Sequence, residues 1–232
     1  MKIKILLLFC AVAALVGISM AINRMENPQP IKPIDIDKPI KASGEGIKAT
    51  LEPGRIVVVK TSRGTFIFAL YEHDMPITCK NFVDLVKKGF YKNLKFHRVE
   101  NWVVQTGDPK GDGTGGSDKT IKLETRTGLD YRQPFMVGMA RTDDPDSATS
   151  QFFVTKIPSP DLNGKYAAFG QVFEGQEVVD KIKKDDKMES ITLVPPRSSD
   201  LIRLMRIQKE RPSSPTGLPK PKPDNNDETG FR

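Results

Sequence analysis

Phe96-His97-Arg98-Val99-Glu100-Asn101-Trp102-Val103-Val104-Gln105-Thr106-Gly107-Asp108 sets a strong donor, Arg98, and an amide, Gln105, among aromatic and aliphatic side chains. Polar side chains set into an apolar run are also what a strand at the edge of a sheet shows. Taken alone, the stretch therefore also fits an edge strand with surface polars. Its neighbours on both sides separate the two readings.

Upstream, the period changes to that of a helix. Asp74 is placed to cap it with Pro76 in the first turn; Cys79, Phe82, Val83 and Val86 fall at i, i+3, i+4 and i+7; and Gly89 follows the lysines at its end. Before it, Arg55 to Lys60 and Thr65 to Tyr71 are β-rich runs joined by Thr61-Ser62-Arg63-Gly64, which reads as a hairpin. Downstream, short apolar runs at Asn101 to Gln105, Phe135 to Ala140, Gln151 to Thr155 and Ala167 to Val172 are separated by Gly, Asp and Pro. Short, evenly spaced strands of this kind predict a barrel or sandwich. A second helix is predicted over Gln176 to Lys184, with Val178, Val179 and Ile182 as its apolar patch, and Leu201 to Ile207 reads as a closing strand.

The ends differ in composition from this middle. Lys2 and Lys4 precede an apolar run from Ile5 to Ile22, and Ser19-Met20-Ala21 offers small residues where a signal peptidase reads. Residues 1–22 are a signal peptide or, because the run is just long enough to cross a bilayer, an N-terminal membrane anchor. Either reading places the domain outside the cytosol, whether periplasmic, secreted or at the cell surface. Residues 23–51, rich in Pro, Lys, Asp and Gly, read as a linker, and residues 52–210 as the folded domain. Residues 211–232 contain Pro212, Pro215, Pro219, Pro221 and Pro223 among Lys, Asn and Asp, a composition that predicts a disordered tail. A folded part of roughly 150 residues can bury about 70% of its unfolded surface, enough for a stable monomer.

Composition excludes several function classes. The net charge of +7 comes from 36 Lys+Arg and 29 Asp+Glu, but two of the lysines lie in the leader. The rest are mixed in sign, as in Asp180-Lys181-Ile182-Lys183-Lys184-Asp185-Asp186-Lys187, whereas a nucleic-acid binder concentrates its cations on one face. No nucleic-acid partner is expected. Cys10 lies in the leader and Cys79 in the helical pattern, which leaves no disulfide framework and makes Cys79 a small core residue. Gly111-Asp112-Gly113-Thr114-Gly115-Gly116 satisfies a dinucleotide-binding pattern, yet no helical pattern follows, so it reads as a flexible loop. Asp143, Asp144 and Asp146 lack calcium-loop spacing and read as a solvated turn. His73 and His97 have no cysteine or carboxylate at metal-ligand spacing, so no metal site is expected.

The first stretch is followed in order by Gly138-Met139-Ala140-Arg141 with Ser150-Gln151-Phe152-Phe153, then by Leu162-Asn163-Gly164-Lys165-Tyr166-Ala167-Ala168-Phe169-Gly170. In that combination the chain resembles the cyclophilins over Arg55 to Gln208. The resemblance implies a mostly β fold, a closed eight-stranded antiparallel β-barrel capped by two α-helices, with peptidyl-prolyl cis/trans isomerase (rotamase) activity and no cofactor. Its implied partners are unfolded or flexible proline-containing polypeptides; with the leader, this points to help in folding exported proteins.

Position by position, Arg98 resembles the family's catalytic arginine and Gln105 the glutamine that holds the substrate backbone. Trp102, Val103, Phe153, Leu162 and Tyr166 fall where the family lines its proline pocket. Ala140, Arg141 and Gln151 match positions that contact the residue before proline, Arg141 through its main chain. The first motif is one residue shorter than the common form, and Trp102 and Val103 replace Phe and Met. Thr106 stands at the first of two usual glycines. Tyr166 replaces a histidine of eukaryotic members, as in many bacterial ones, and Asp161 stands where some members carry the tryptophan that contacts cyclosporin. Two other functions compete: a non-catalytic module or holdase chaperone gripping proline segments, and a barrel storing a small apolar ligand.

Overall fold

The computed structural model describes residues 54–209. The expected leader, the whole of the linker, and the proline-rich tail lie outside the described residues. Nine strands form one antiparallel sheet: β1 Ile56–Thr61, β2 Gly64–Leu70, β3 Leu94–Lys95, β4 Arg98–Val99, β5 Val103–Thr106, β6 Met136–Met139, β7 Phe152–Thr155, β8 Ala168–Glu174 and β9 Lys187–Val194. Three α-helices accompany them among the described residues: α1 Pro76–Lys87, α2 Gln176–Lys181 and α3 Ser198–Lys209.

The strand order is β3-β9-β1-β2-β8-β6-β7-β5-β4. Its two edges, β3 and β4, are separated in sequence only by Phe96 and His97. Three peptide steps reach at most about 11 Å. The sheet must therefore curl until its edges nearly meet. Counted as one strand broken at Phe96 and His97, the segment Leu94–Val99 pairs with β9 through its first half and with β5 through its second. This recovers the eight strands expected.

The core is aromatic. Phe82 on α1 lies 5.8 Å from Phe68, 5.4 Å from Phe152 and 5.3 Å from Phe169, which pins the helix against the sheet. The apolar positions Cys79, Phe82, Val83 and Val86 are all buried, as their helical spacing predicts. Burial pushes the Cys79 thiol well above its ordinary pKa, so it behaves as a small core residue.

Three elements differ from the sequence reading. Asp74 does not cap α1: Met75 is the N-cap, and Glu124 accepts from the amides of Ile77 at 2.9 Å and Thr78 at 2.6 Å. A carboxylate from a distant loop thus satisfies donors that every helix start leaves open. Asp74 is buried and instead pairs with Arg126 Nε at 3.1 Å. The second helix ends at Lys181 rather than Lys184, because the chain turns there, with Asp186 accepting from the Lys183 amide at 2.7 Å on its way into β9.

The third difference is larger. Leu201 to Ile207 is not a strand but the body of α3, which seats Leu204 against Ile56, Ala69 and Phe173. The sheet position next to β1 is filled by β9, whose Val194, Thr192 and Ser190 oppose Ile56, Val58 and Lys60. α3 is then left to cover the outside of the sheet, and the domain carries a third helix instead of a tenth strand.

Candidate active site

Strand register assembles the site. Arg98 on β4 lies opposite Gln105 on β5, Gln105 opposite Phe153 on β7, and Phe153 opposite Gly138 on β6. Directly opposed residues project on the same face of a sheet. Arg98, Gln105 and Phe153 therefore form one row across three strands, and Val103, two residues before Gln105, shares that face. Gly138 ends the row for a steric reason: a β-carbon there would collide with the Phe153 ring and the Tyr131 hydroxyl.

Phe153 is fully buried between Tyr131, stacked at 5.8 Å, and Tyr166, edge-on at 5.9 Å. Leu162 ends the 3-10 turn Pro160–Leu162, and its carbonyl accepts from the Tyr166 amide at 3.2 Å, so turn and ring are fixed together. The Arg141 guanidinium lies 4.9 Å from the Tyr166 ring centroid and donates to the Lys165 carbonyl at 2.8 Å. Its side chain thus holds the wall of the site, a contribution additional to the main-chain role the resemblance implies. Burial raises the Tyr166 pKa and the nearby Arg141 charge opposes it.

Behind the row runs an amide relay. Gln105 Nε2 donates to Gln151 Oε1 at 2.8 Å, and Gln151 Nε2 donates to the carbonyls of Gly113 at 2.9 Å and Gly115 at 2.7 Å. The Ala140 amide donates to the Gln151 carbonyl at 2.9 Å, bringing Ala140 beside them. The glycine loop that Gln151 grips is itself held by Asp108, whose buried carboxylate accepts from the amides of Lys110 at 2.8 Å, Asp112 at 3.0 Å and Gly113 at 2.6 Å. The loop is therefore an ordered wall rather than the flexible segment its glycines suggest.

All ten candidate residues thus lie in one neighbourhood. Four others belong to it without having been singled out: Glu100, Asp108, Tyr131 and Gly138. Glu100 binds both Arg98 Nε and, at 2.7 Å, Trp102 Nε1, while the Arg98 guanidinium lies 5.4 Å from the Trp102 ring centroid. Its signal in the sequence is nearness: Glu100 stands two residues from both Arg98 and Trp102, in the turn that joins β4 to β5. Among the described residues no cluster of His, Cys, Asp or Glu could hold a metal ion.

The family description "Cyclophilin type peptidyl-prolyl cis-trans isomerase/CLD" matches residues 56–207. Peptidyl-prolyl cis-trans isomerase-like 1 of Aspergillus fumigatus is 41% identical over 130 residues, which cover 54% of this chain and 80% of that protein. Its counterpart in Gibberella zeae is 36% identical over 151 residues, covering 61% of this chain and 93% of that one. A crystal structure of a cyclophilin-type isomerase from Cryptosporidium parvum aligns with TM-score 0.58 and 30% identity over 62% of this chain and 99% of its own. By class the protein is an enzyme that interconverts the cis and trans forms of peptide bonds preceding proline. The chain belongs to the cyclophilin-type peptidyl-prolyl cis-trans isomerases.

Proposed function

We propose that this isomerase works by presenting the Arg98 guanidinium to the proline nitrogen of a twisted X–Pro amide, above an apolar hollow walled by Trp102, Val103, Phe153, Leu162 and Tyr166. Amide resonance sets a rotation barrier of about 18–20 kcal/mol, while the two X–Pro isomers differ by only about 0.5–1 kcal/mol. The task is kinetic. Twisting removes conjugation and makes the nitrogen pyramidal and more basic, so a donor aimed there binds the transition state better than either planar form. Arginine stays charged at any working pH and carries its donors in a fixed fork.

The observation that supports this reading most is the register row, with Arg98 opposite Gln105 and Gln105 opposite Phe153. Donor, amide and ring then share one face. The Gln105 amide nitrogen has two hydrogens; one goes to Gln151, and the other is suited to the carbonyl flanking the proline. Gln151 and the main chain at Ala140 and Arg141 border the place for the residue before proline. The Cryptosporidium isomerase was also solved in the presence of the dipeptide Ala-Pro, in keeping with a proline-containing peptide as the ligand assigned here.

Arg98→Ala tests the assignment. We expect kcat/KM to fall by about 10²–10³, the scale for losing one preorganised transition-state donor, with thermal unfolding unchanged. Wild-type turnover by the variant in an NMR exchange assay would remove Arg98 from the mechanism.

The clients we assign are exported proteins, met by a monomeric domain outside the cytosol whose leader is either cut or kept as an anchor. The basis is Lys2 and Lys4 before the apolar run Ile5 to Ile22. Mass spectrometry of the N-terminus from fractionated cells tests this: a cytosolic chain starting at Met1 would overturn export.

A further inference from the structure

Glu100 lies between the proposed donor and one wall of the proposed pocket, and its carboxylate is bound to both. One oxygen accepts from Arg98 Nε and the other from Trp102 Nε1 at 2.7 Å. The Arg98 and Glu100 side chains are 20% and 23% exposed, so the pair is shielded from much of the water that would otherwise compete for it. The Glu100 amide donates to the Val103 carbonyl at 2.8 Å, closing the turn between β4 and β5 and fixing the backbone from which the carboxylate projects.

An arginine side chain has many rotamers. This one is restrained by its backbone in β4, by the Nε bond to Glu100, and by the Trp102 ring beneath its guanidinium at 5.4 Å, among other contacts. Trp102 is restrained in turn, because the carboxylate holds its indole N–H. A phenylalanine at position 102 would have no donor to give. Glu100 and Trp102 thus form a matched pair, each using the polar atom of the other.

We propose that Glu100 is a positioning residue of the isomerase, bridging Arg98 and Trp102 so that donor and pocket wall are set as one unit. The proposal rests on the reading of Arg98 as the donor to the twisted amide. Glu100 does not touch substrate. It acts by keeping the guanidinium in the orientation the twisted nitrogen needs, and a small misplacement of a catalytic group has a large effect on rate.

The test uses the full chain with Glu100→Gln, Arg98→Ala and the double variant, measuring kcat and KM separately, thermal unfolding, and tryptophan fluorescence. Trp102 is the only tryptophan, so emission reports on this bridge without background. Glu100→Gln is expected to lower kcat by about 10-fold to 10²-fold with KM little changed, to shift the Trp102 emission, and to have no further effect on kcat once Arg98 is alanine. Wild-type kcat in Glu100→Gln beside a slow Arg98→Ala would overturn the bridge while leaving the donor assignment intact. Wild-type kcat in Arg98→Ala would remove the donor assignment and the bridge with it. An equal loss from Glu100→Gln in both backgrounds would mean that Glu100 acts on substrate itself, also overturning a positioning role. Should Glu100→Gln fail to fold, Glu100→Asp, which withdraws the carboxylate by one methylene, must show the same fall in kcat; wild-type kcat there overturns the proposal.

Discussion

The two halves of the sheet follow different burial rules. β5, β6 and β7 are buried at every position, whereas β1 and β9 mix buried and exposed side chains. On a strand buried on both faces a polar residue has no route to water, and leaving it unpaired is unfavourable. Each such residue has accordingly found an internal partner. Gln105 donates to Gln151, Thr106 donates to the Lys95 carbonyl at 2.9 Å, and Thr155 accepts from the Met136 amide at 3.1 Å. On β9, Lys187, Glu189 and Thr192 simply face outward. In the first half a polar residue is bonded internally, within the site for Gln105 and within the sheet's packing for Thr106 and Thr155; in the second it faces the solvent side of the sheet.

That contrast can be broken by deleting a core side chain from each half. Phe153→Ala should cost about 3–5 kcal/mol of stability, the range for truncating a buried aromatic ring, and should also lower kcat/KM of the remaining folded protein. Ile191→Ala on β9, a site opposite Val59, should cost about 2–5 kcal/mol and leave kcat/KM per folded molecule unchanged. Denaturant titrations paired with active-site assays decide. Equal catalytic losses in the two variants would show that the halves are not separable.

Gly138→Ala is a finer probe of the same half. The added β-carbon meets Phe153 and Tyr131, neither of which has room to retreat. Overpacking of this kind costs about 1–3 kcal/mol. The expected result is a modest loss of stability with a clear rise in KM, because the floor of the pocket is displaced while Arg98 stays in place. An unchanged KM would indicate that the Phe153 ring does not form that floor.

Smaller again is the helix cap. Glu124→Ala removes the acceptor for the Ile77 and Thr78 amides and should cost about 1 kcal/mol, read as a lower urea midpoint with kcat/KM unaffected. If Glu124→Ala is neutral while Asp74→Ala abolishes the helix start, the capping assignment is reversed.

The same contrast explains what the sequence makes legible. The pocket strands are readable because Arg98, Gln105 and Gln151 stand out against apolar neighbours, and α1 because its apolar residues repeat at 3 and 4. β9 is not: its buried Met188 and Ile191 are three apart with polar residues between them, a spacing closer to a helix than a strand. α3 fails in the opposite sense. Five of the seven residues from Leu201 to Ile207 are apolar, which imitates a buried strand, and it is the packing of Leu204, with Ile207, against Ile56, Ala69 and Phe173 that reveals which face turns inward. The Glu124 cap is beyond local reading altogether, since it acts on an amide 46 residues away. Glu100 is a different case, visible at i+2 from Arg98 but meaningful only once both of its bonds are seen.

The last effect vanishes at neutral pH and therefore probes the boundary between the halves most gently. His97, one of the two residues joining the sheet edges, is buried beside the glycine loop, and burial above all holds its pKa below the ordinary histidine value, with the Arg98 charge acting in the same direction. Asp108 and Asp112 oppose this without reversing it. An unfolded histidine titrates near 6.5, so as pH falls below that value the unfolded chain takes up a proton that the folded chain still refuses. Stability from the neutral ring is thus fully present above about pH 6.5 and is lost as pH drops toward the lower folded value. Carboxylates whose pKa is lowered on folding, such as Asp112 and Asp186, add their own acid sensitivity only nearer pH 4. Urea midpoints at pH 7.5 and 5.5 should therefore fall with pH in the natural protein and fall less in His97→Asn. If the two proteins lose stability equally over that interval, the joint between the sheet edges carries no titrating strain and the acid sensitivity belongs elsewhere in the barrel.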